Sequence, residues 1–291
     1  MKIITLIENT AKNDSIRAEH GLSLYIETKG HTLLSDCGCT NAFIENAATL
    51  GVDLHKVDSV FLSHGHYDHS GGILPFTSIN SEATIYMQEK ALLPYYHKTD
   101  SEERYIGIDP AIVELAQLRI LDGDIVIDEE LALFSNVTGR ELWPKGNLEL
   151  KKKVGEDFIQ DEFDHEQYLV ITEKKTLTPD MGGPNSLAQE CDTMKVLISG
   201  CAHNGILNIL EHYYSLYGAY PNAVISGFHM KKKAGYTDED IATIKETAER
   251  LSKLPTKFYT GHCTGEEPFE MMKEIMGGQL EYVYSGSMIE I

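Results

Sequence analysis

Short apolar runs rich in β-branched residues recur through the first third of the chain, separated by polar or glycine-containing segments. Runs of this kind predict β-strands. We expect strands at 2–7, 22–27, 32–35 and 59–62. The turn at 28–31 predicts that the second and third strands form a hairpin. Apolar residues at helical spacing over 41–50, followed by Gly51, predict an amphipathic helix before the fourth strand.

The second half of the chain alternates strand-like and helix-like patterns. Two apolar stripes at helical spacing predict helices around 206–214 and 241–254. Thr237 is placed to cap the second helix, and the acidic residues that follow suit its positive end. Strands are predicted between and around these helices, at 167–172, 195–199, 223–226, 257–260 and 281–284.

The middle of the chain, from about 88 to 165, has no single period. A strand at 83–87 precedes it, and several short strands are predicted within 118–137. We interpret the stretch as an insertion in one domain that spans residues 1–291. Tyr95, Tyr96 and His97 could line a substrate pocket, although a partly buried insertion explains them better. The acidic segment 164–167 could reach a functional site or be solvated, and both interpretations stay open.

Charge and composition narrow the class of protein. The chain has 291 residues and a formal net charge of −20, without a long basic run. It can bury a large core, and it is unsuited to gripping nucleic acid phosphates. A charged, short amino-terminal run and the lack of a long apolar stretch argue against a signal peptide or membrane span, so we expect a cytoplasmic protein. Five cysteines are expected to be reduced thiols: Cys37, Cys39, Cys191, Cys201 and Cys263.

The largest local concentration of potential metal-binding side chains follows the strand at 59–62. His64, His66, Asp68 and His69 place four potential metal ligands within six positions. Imidazole and carboxylate groups both bind zinc, manganese or iron, so the segment could hold one or two such ions. Zinc is our first expectation.

Three later strands share a related ending. His203, His229 and His262 each come shortly after an apolar run and a glycine. Strands that deliver histidines at equivalent ends bring them together along one edge of a sheet. Cys201 and Cys263 lie beside two of these histidines, where a thiol role is conceivable but packing is the favoured interpretation.

These residues carry a family resemblance. The segment from His64 to His69 matches the His-x-His-x-Asp-His signature of the metallo-beta-lactamase fold superfamily. Further motifs resemble the branch labelled as similar to 7,8-dihydropterin-6-methyl-4-(ribofuranosyl)aminobenzene-5′-phosphate synthase; they lie at 19–23, 34–38, 200–206, 227–229 and 261–265. The fold implied is an α/β, four-layer αββα sandwich of two mixed sheets, with metals at one edge.

The resemblance also implies a ligand set. It assigns His64, His66 and His203 to one metal, Asp68, His69 and His262 to a second, and Asp36 to orienting a ligand histidine. Many superfamily members have a bridging aspartate where this chain has His229. His229 could replace it as a ligand or face the substrate, or the second metal could be weak. We therefore name Asp68 and His229 as catalytic candidates.

The expected chemistry is hydrolysis. One or two divalent ions lower the pKa of a held water and stabilise developing charge on an oxygen. The expected substrate is a small-molecule ester, lactone, thioester or phosphodiester, phosphorylated or pterin-related, with neither nucleic acid nor membrane as partner and oligomerisation left open. No Gly-x-Ser-x-Gly elbow or Walker phosphate loop occurs. A diiron redox or oxygen-handling protein and a non-catalytic metal-binding sensor remain as alternatives.

Overall fold

The computed structural model describes residues 1–174 and 193–291. Cys191 therefore lies outside the described residues, and the other four cysteines are free thiols. Within the described ranges the helices are α1 (Ala42–Leu50), α2 (Tyr67–Ser70), α3 (Ile73–Thr77), α4 (Ile206–Tyr217), α5 (Asp238–Leu251) and α6 (Glu266–Met276). The strands are β1 (Lys2–Ile7), β2 (Ser23–Glu27), β3 (Thr32–Ser35), β4 (Ser59–Phe61), β5 (Thr84–Gln88), β6 (Tyr95–Lys98), β7 (Glu103–Tyr105), β8 (Leu118–Leu121), β9 (Ile125–Val126), β10 (Leu131–Phe134), β11 (Leu150–Val154), β12 (Asp157–Gln160), β13 (Tyr168–Lys174), β14 (Thr193–Ile198), β15 (Ala223–Ile225), β16 (Lys257–Thr260), β17 (Leu280–Tyr282) and β18 (Met288–Glu290).

Two large mixed sheets form the centre of the fold. The N-terminal sheet has the order β18-β1-β2-β3-β4-β5-β8, and the C-terminal sheet has the order β17-β16-β15-β14-β13-β10-β9. In the N-terminal sheet β3, β4, β5 and β8 run parallel, and in the C-terminal sheet β14, β15, β16 and β17 do so. The remaining pairs are antiparallel, including the predicted hairpin of β2 and β3. Each sheet is therefore mixed.

Alternation of side chains across the strands builds the layers. In β1, Ile3 packs between the two sheets, whereas its neighbour Ile4 packs on the opposite face of the N-terminal sheet, in the cluster that contains Phe43 of α1. A third cluster, which includes Ile209 of α4 and Met272 of α6, covers the outer face of the C-terminal sheet. Helices, sheet, sheet and helices thus form four layers, which confirms the predicted α/β metallo-beta-lactamase-like sandwich.

The stretch 88–165 contributes to each of the three sheets found in the described residues. β8 extends the N-terminal sheet, and β9 and β10 extend the C-terminal sheet. β6, β7, β11 and β12 form a separate four-stranded small sheet with the order β12-β11-β6-β7. The predicted short strands within 118–137 are present, whereas the strands of the small sheet were not predicted, because their polar residues obscure the alternation.

The predicted helices form, but their ends and apolar faces differ in detail from those predicted. Thr237 and Asp240 make a reciprocal capping box at the start of α5, as the cap prediction requires. Leu254, assigned to the apolar stripe of this helix, lies beyond its end at Leu251. Tyr214, assigned to the stripe of α4, is 45% exposed. Among the described residues, no helix is both long and apolar enough to cross a bilayer.

Candidate metal centre

The predicted ligands converge where the two sheets meet at the carboxyl ends of their parallel strands. His64 and His66 follow β4, and Asp68 and His69 lie on the short helix α2. His203 lies between β14 and α4, and His262 follows β16. All six side chains are buried or nearly so. The expectation of one edge of a single sheet was wrong, because β4 belongs to the N-terminal sheet and β14 and β16 belong to the C-terminal sheet. Parallel neighbours end at the same edge within each sheet, and the two sheets face each other at these edges.

Glycines allow these strand ends to approach each other. A Cβ atom at Gly200 would lie 2.1 Å from the Ser63 hydroxyl oxygen, and one at Gly227 would lie 2.4 Å from the Cys263 sulfur. Either contact is far inside van der Waals distance. The glycines that precede the histidines in the sequence are thus needed for close packing of the loops.

The ligand atoms form two neighbouring groups. One contains His64, Cys201 and His203, and the other contains His69, Cys201 and His262; within each group the ligand atoms lie within 4.8 Å of one another. Asp68 joins the second group, with Oδ2 3.4 Å from His262 Nε2 and 3.7 Å from His69 Nε2.

His66 lies beside the first group. Its ring centroid is 4.5 Å from that of His64 and 4.9 Å from that of His203. The structure therefore brings all six predicted ligands together. Their division between two individual ions stays a prediction.

Hydrogen bonds orient four of the five histidines. In each of them Nδ1 faces an oxygen acceptor of the protein, which leaves the Nε2 lone pair available for a metal. For His64 the acceptor is the Ser63 hydroxyl, whose own proton goes to Asp36. The contacts are Ser63 with His64 (2.8 Å), Asp36 with His69 (2.6 Å), Asn147 with His203 (2.9 Å) and Asn9 with His262 (3.0 Å).

The inward-facing nitrogens fit a divalent cation. Nε2 of His64, His66 and His203 is buried and has no hydrogen-bond partner among the described residues. A buried polar atom without a partner is costly, and several at one point indicate a ligand site. Imidazole, carboxylate and thiol groups together suit zinc or another transition metal.

Charge in the centre also favours a cation. Burial lowers the pKa values of His64 and His203 well below the ordinary value, so both rings are neutral at neutral pH. Burial acts in the same direction on His69, but the carboxylates of Asp36 and Asp68 outweigh it and raise its pKa to about 9. The field that holds a proton on His69 equally favours a metal ion, which would displace that proton.

Asp36 supports the centre from below, as the resemblance implied. Its Oδ1 accepts the backbone N–H of Ser63 at 2.7 Å, and its Oδ2 accepts both the Ser63 hydroxyl at 2.7 Å and His69 Nδ1–H at 2.6 Å. The residue is 1% exposed and has a left-handed backbone, with φ of 61°. Asp36 thus fixes the tautomer of one histidine and the hydroxyl that orients another.

Two buried glutamates hold loops that carry predicted ligands; the sequence left the role of Glu166 open and gave no sign of a role for Glu8. Glu166 accepts the backbone N–H groups of His203 at 2.6 Å and Asn204 at 2.9 Å. Glu8 accepts the backbone N–H of His262 through one oxygen and that of Thr10 through the other. Burial raises the pKa of Glu166 above its usual range. These carboxylates anchor the loops that carry the two distant histidines.

Two residues of segment 164–167 are buried beside the candidate centre. Glu166 holds the His203 loop, and His165 is fully buried. His165 Nδ1 accepts the backbone N–H of Gly65 at 3.0 Å, and its Nε2 lies 3.1 Å from Asp161. Asp161 Oδ2 is also 4.0 Å from His66 Nε2. The end of the 88–165 stretch therefore packs against the ligand loop after β4.

His229 lies at the border of the centre. Its φ is 48°, its ring is 4.1 Å from that of His203, and its Nδ1 has no partner among the described residues. Its backbone N–H donates to Cys263 Sγ. The ring also lines a cleft between the segment around Lys145 and the N-terminal part of α4. The structure thus places His229 between His203 and this cleft.

His20 was overlooked as a candidate, although its motif contributed to the resemblance. Its Nε2 is 3.2 Å from Asp68 Oδ2, and its ring stacks on His262 with a centroid distance of 5.2 Å. The side chain is 56% exposed, so it forms the outer wall of the centre. A histidine in a polar loop gives no local sequence signal for this position.

The fold and the buried histidine cluster define a protein of the metallo-beta-lactamase class. The chain belongs to the metallo-beta-lactamase superfamily, whose family model matches residues 16–210.

Particular relatives cover the whole chain. A 7,8-dihydropterin-6-methyl-4-(beta-D-ribofuranosyl)-aminobenzene-5′-phosphate synthase from Methanocaldococcus jannaschii is 26% identical, and the alignment covers 100% of this chain and 96% of the relative. An uncharacterised protein of the same organism is 26% identical over 98% of each chain. The solved structure of Tm1679, described as a metal-dependent hydrolase of the beta-lactamase superfamily, is 26% identical with a TM-score of 0.77, covering 100% of this chain and 99% of that one.

Proposed function

We propose that this protein is a metal-dependent hydrolase of a small-molecule ester, lactone or phosphodiester. The observation that carries the proposal is the set of buried, unpartnered Nε2 atoms of His64, His66 and His203. Membership of the metallo-beta-lactamase superfamily and the likeness to Tm1679, a metal-dependent hydrolase, support it. Zinc is the metal we expect, with two ions per chain.

The position of each predicted ligand suggests which ion it would hold. His64, His66 and His203 would hold one ion, and Asp68, His69 and His262 the other. When bound, the ions supply a Lewis acid and a water of lowered pKa. The Nδ1 hydrogen bonds of four ligand histidines keep their Nε2 atoms turned inward, so the donor set is organised before metal arrives.

The cleft beside the centre suggests an anionic substrate. Besides His229 and apolar residues such as Phe228, three lysines and two carboxylates line it, namely Lys145, Lys231, Lys232, Glu141 and Asp240. Lys145 is paired with Glu239, whereas Lys231 forms no ion pair within the described part of the chain. In a protein with net charge −20, these cations and the metals are local attractors for a phosphorylated molecule. The phosphate-containing name of the Methanocaldococcus relative supports this substrate class.

A turnover assay tests the proposal. The zinc-loaded chain would be offered activated esters, lactones and phosphodiesters, then stripped with a chelator and reloaded. We expect hydrolysis of at least one class, loss on stripping and recovery on reloading. His203→Ala should lose turnover, whereas His55→Ala, an exposed histidine outside the ligand groups, should retain it.

Several outcomes would contradict the proposal. Hydrolysis that persists after stripping, or at full rate in His203→Ala, would separate activity from this centre. Full metal occupancy without turnover of any substrate would favour a metal-binding sensor. Tightly held iron with a spin-resonance signature and no hydrolysis would favour redox chemistry instead.

A further inference from the structure

Cys201 lies at the junction of the two ligand groups. It is the residue common to the group of His64 and His203 and the group of His69 and His262. We propose that the Cys201 thiolate bridges the two metal ions, an inference that rests on the proposed binuclear hydrolase. The role differs from the packing role that the sequence favoured for this cysteine.

The distances support a shared ligand. Cys201 Sγ is 3.2 Å from His69 Nε2, and it lies within 4.8 Å of the ligand nitrogens of His64 and His203. With zinc–sulfur and zinc–nitrogen bonds of about 2.3 and 2.0 Å, two ligand atoms of one ion lie closer together than about 4.3 Å. The contact of the sulfur with His69 is thus within this range, and its distances to the ligand nitrogens of His64 and His203 exceed the range by at most about 0.5 Å.

The surroundings of the sulfur point the same way. Cys201 is 3% exposed and faces buried histidine nitrogens, two of which have no partner among the described residues. Cys201 and His203 both face the centre, and Ala202 between them has a left-handed backbone with φ of 51°. Asp68 is grouped with His20 and His262 and not with His64, so, unlike Cys201, it is not shared by the two ligand groups.

Cys263 is a neighbouring thiol with a different environment. Its sulfur accepts the backbone N–H of His229 at 3.3 Å and donates to the carbonyl oxygen of Cys201 at 3.5 Å. The S–H group and one lone pair of this thiol are therefore used by the backbone. Its sulfur also lies within 4.8 Å of the Cys201 sulfur and a His229 ring nitrogen, but it belongs to neither of the two histidine groups that share Cys201. Cys201 is the better candidate for a metal ligand.

Thiolate chemistry accounts for the bridge. When the ions bind, the Cys201 S–H proton leaves to solvent, and the sulfur donates one lone pair to each ion without any change of oxidation state. The negative charge between two dications reduces their repulsion. No oxidant or reductant is needed.

X-ray absorption at the zinc edge tests the bridge in the full-length, zinc-loaded chain. A bridging thiolate gives an average of one sulfur neighbour per zinc at about 2.3 Å, whereas a terminal thiolate gives one sulfur per two zincs. We expect one per zinc in the wild type and none in Cys201→Ser. Cys39→Ser, which changes a half-buried thiol outside the ligand groups, should keep the wild-type value.

Any one of three results would overturn the bridge: half a sulfur or less per zinc, an unchanged sulfur count in Cys201→Ser, or binding of only one zinc per chain. If Cys201→Ser does not fold, Cys263→Ser decides: it should keep one sulfur per zinc, whereas half a sulfur per zinc would show that each ion has its own terminal thiolate and would overturn the bridge. Hydrolysis measured on the same samples separates the two ideas: active protein without zinc–sulfur contacts contradicts only the bridge, and inactive protein with them contradicts only the proposed function.

Discussion

The substitution Asp36→Asn tests how the protein prepares its centre for metal. Asp36 accepts three hydrogen bonds, two from Ser63 and one from His69. Asparagine offers one oxygen acceptor and one NH2 donor in nearly the same volume. If the oxygen keeps the Ser63 backbone N–H, the NH2 group faces His69 Nδ1 and donates to it. The ring proton then moves to Nε2, where it blocks metal binding.

The alternative orientation of the asparagine is also unfavourable. Its NH2 group would then face the Ser63 backbone N–H, which leaves a buried donor unsatisfied at a cost of about 1–3 kcal/mol. Loss of a group that orients a ligand histidine typically weakens metal binding by about 10–100-fold. This range corresponds to roughly 1.4–2.8 kcal/mol of binding free energy. We expect the loss at the ion assigned to His69.

Competition with a chromophoric chelator measures the two zinc dissociation constants. In Asp36→Asn we expect the constant of the ion assigned to His69 to rise about 10–100-fold. The other constant should rise as well, because the Ser63 hydroxyl that faces His64 loses its acceptor on Asp36. Asp53→Asn is the matched control, because it removes one negative charge from an exposed turn. Two unchanged constants in Asp36→Asn, or an equal loss in the control, would refute the reasoning.

Three further predictions concern other parts of the structure. Glu166→Ala leaves at least two buried backbone donors unsatisfied, so it should lower the free energy of unfolding by at least about 2 kcal/mol in urea titrations. Glu156→Ala, at an exposed position, is the control and should not lower it. Equal stabilities of the two variants would contradict the anchoring role of Glu166. The hydrogen bond from Lys232 is the largest cause that lowers the pKa of Asp240 to about 2, and the backbone N–H at the start of α5 is the second. The Asp240 carboxylate therefore contributes to stability above about pH 3.8, and this contribution is lost as the pH falls through about 2. Asp240→Asn should cost about 0.5–2 kcal/mol at neutral pH and flatten this acid dependence, and an unchanged acid unfolding curve would count against it. His20→Ala should lower turnover while elemental analysis shows unchanged zinc; loss of zinc would instead make His20 a ligand.

Local pattern was sufficient for much of the fold and for the ligand positions. β1, β3 and β16 have the predicted bounds, because each is a short apolar run between polar segments. The histidines after β4, β14 and β16 were recognisable because each follows a strand end, although these strands belong to two sheets and not to one. Asp36 was recognised through the family motif.

Long-range contacts explain the residues that were not recognised. Glu8 and Glu166 act on backbone groups 254 and 37 positions away, and in sequence each resembles a surface carboxylate. The Cys201 sulfur lies near histidines that are distant in the sequence, and this position depends on loop packing that periodicity does not reveal. The strand β11 carries three lysines, so its pairing with β6 and β12 could not be predicted from alternation.

Zinc stoichiometry in three forms of the chain tests the central claim that histidines from separate strands complete one metal centre. Equilibrium dialysis followed by elemental analysis would count the ions in the wild type, His203→Ala and His262→Ala. We predict two zinc ions in the wild type and loss of one tightly bound ion in each variant, with the folds intact by circular dichroism. Two tightly bound ions in both variants, or none in the wild type, would contradict the account.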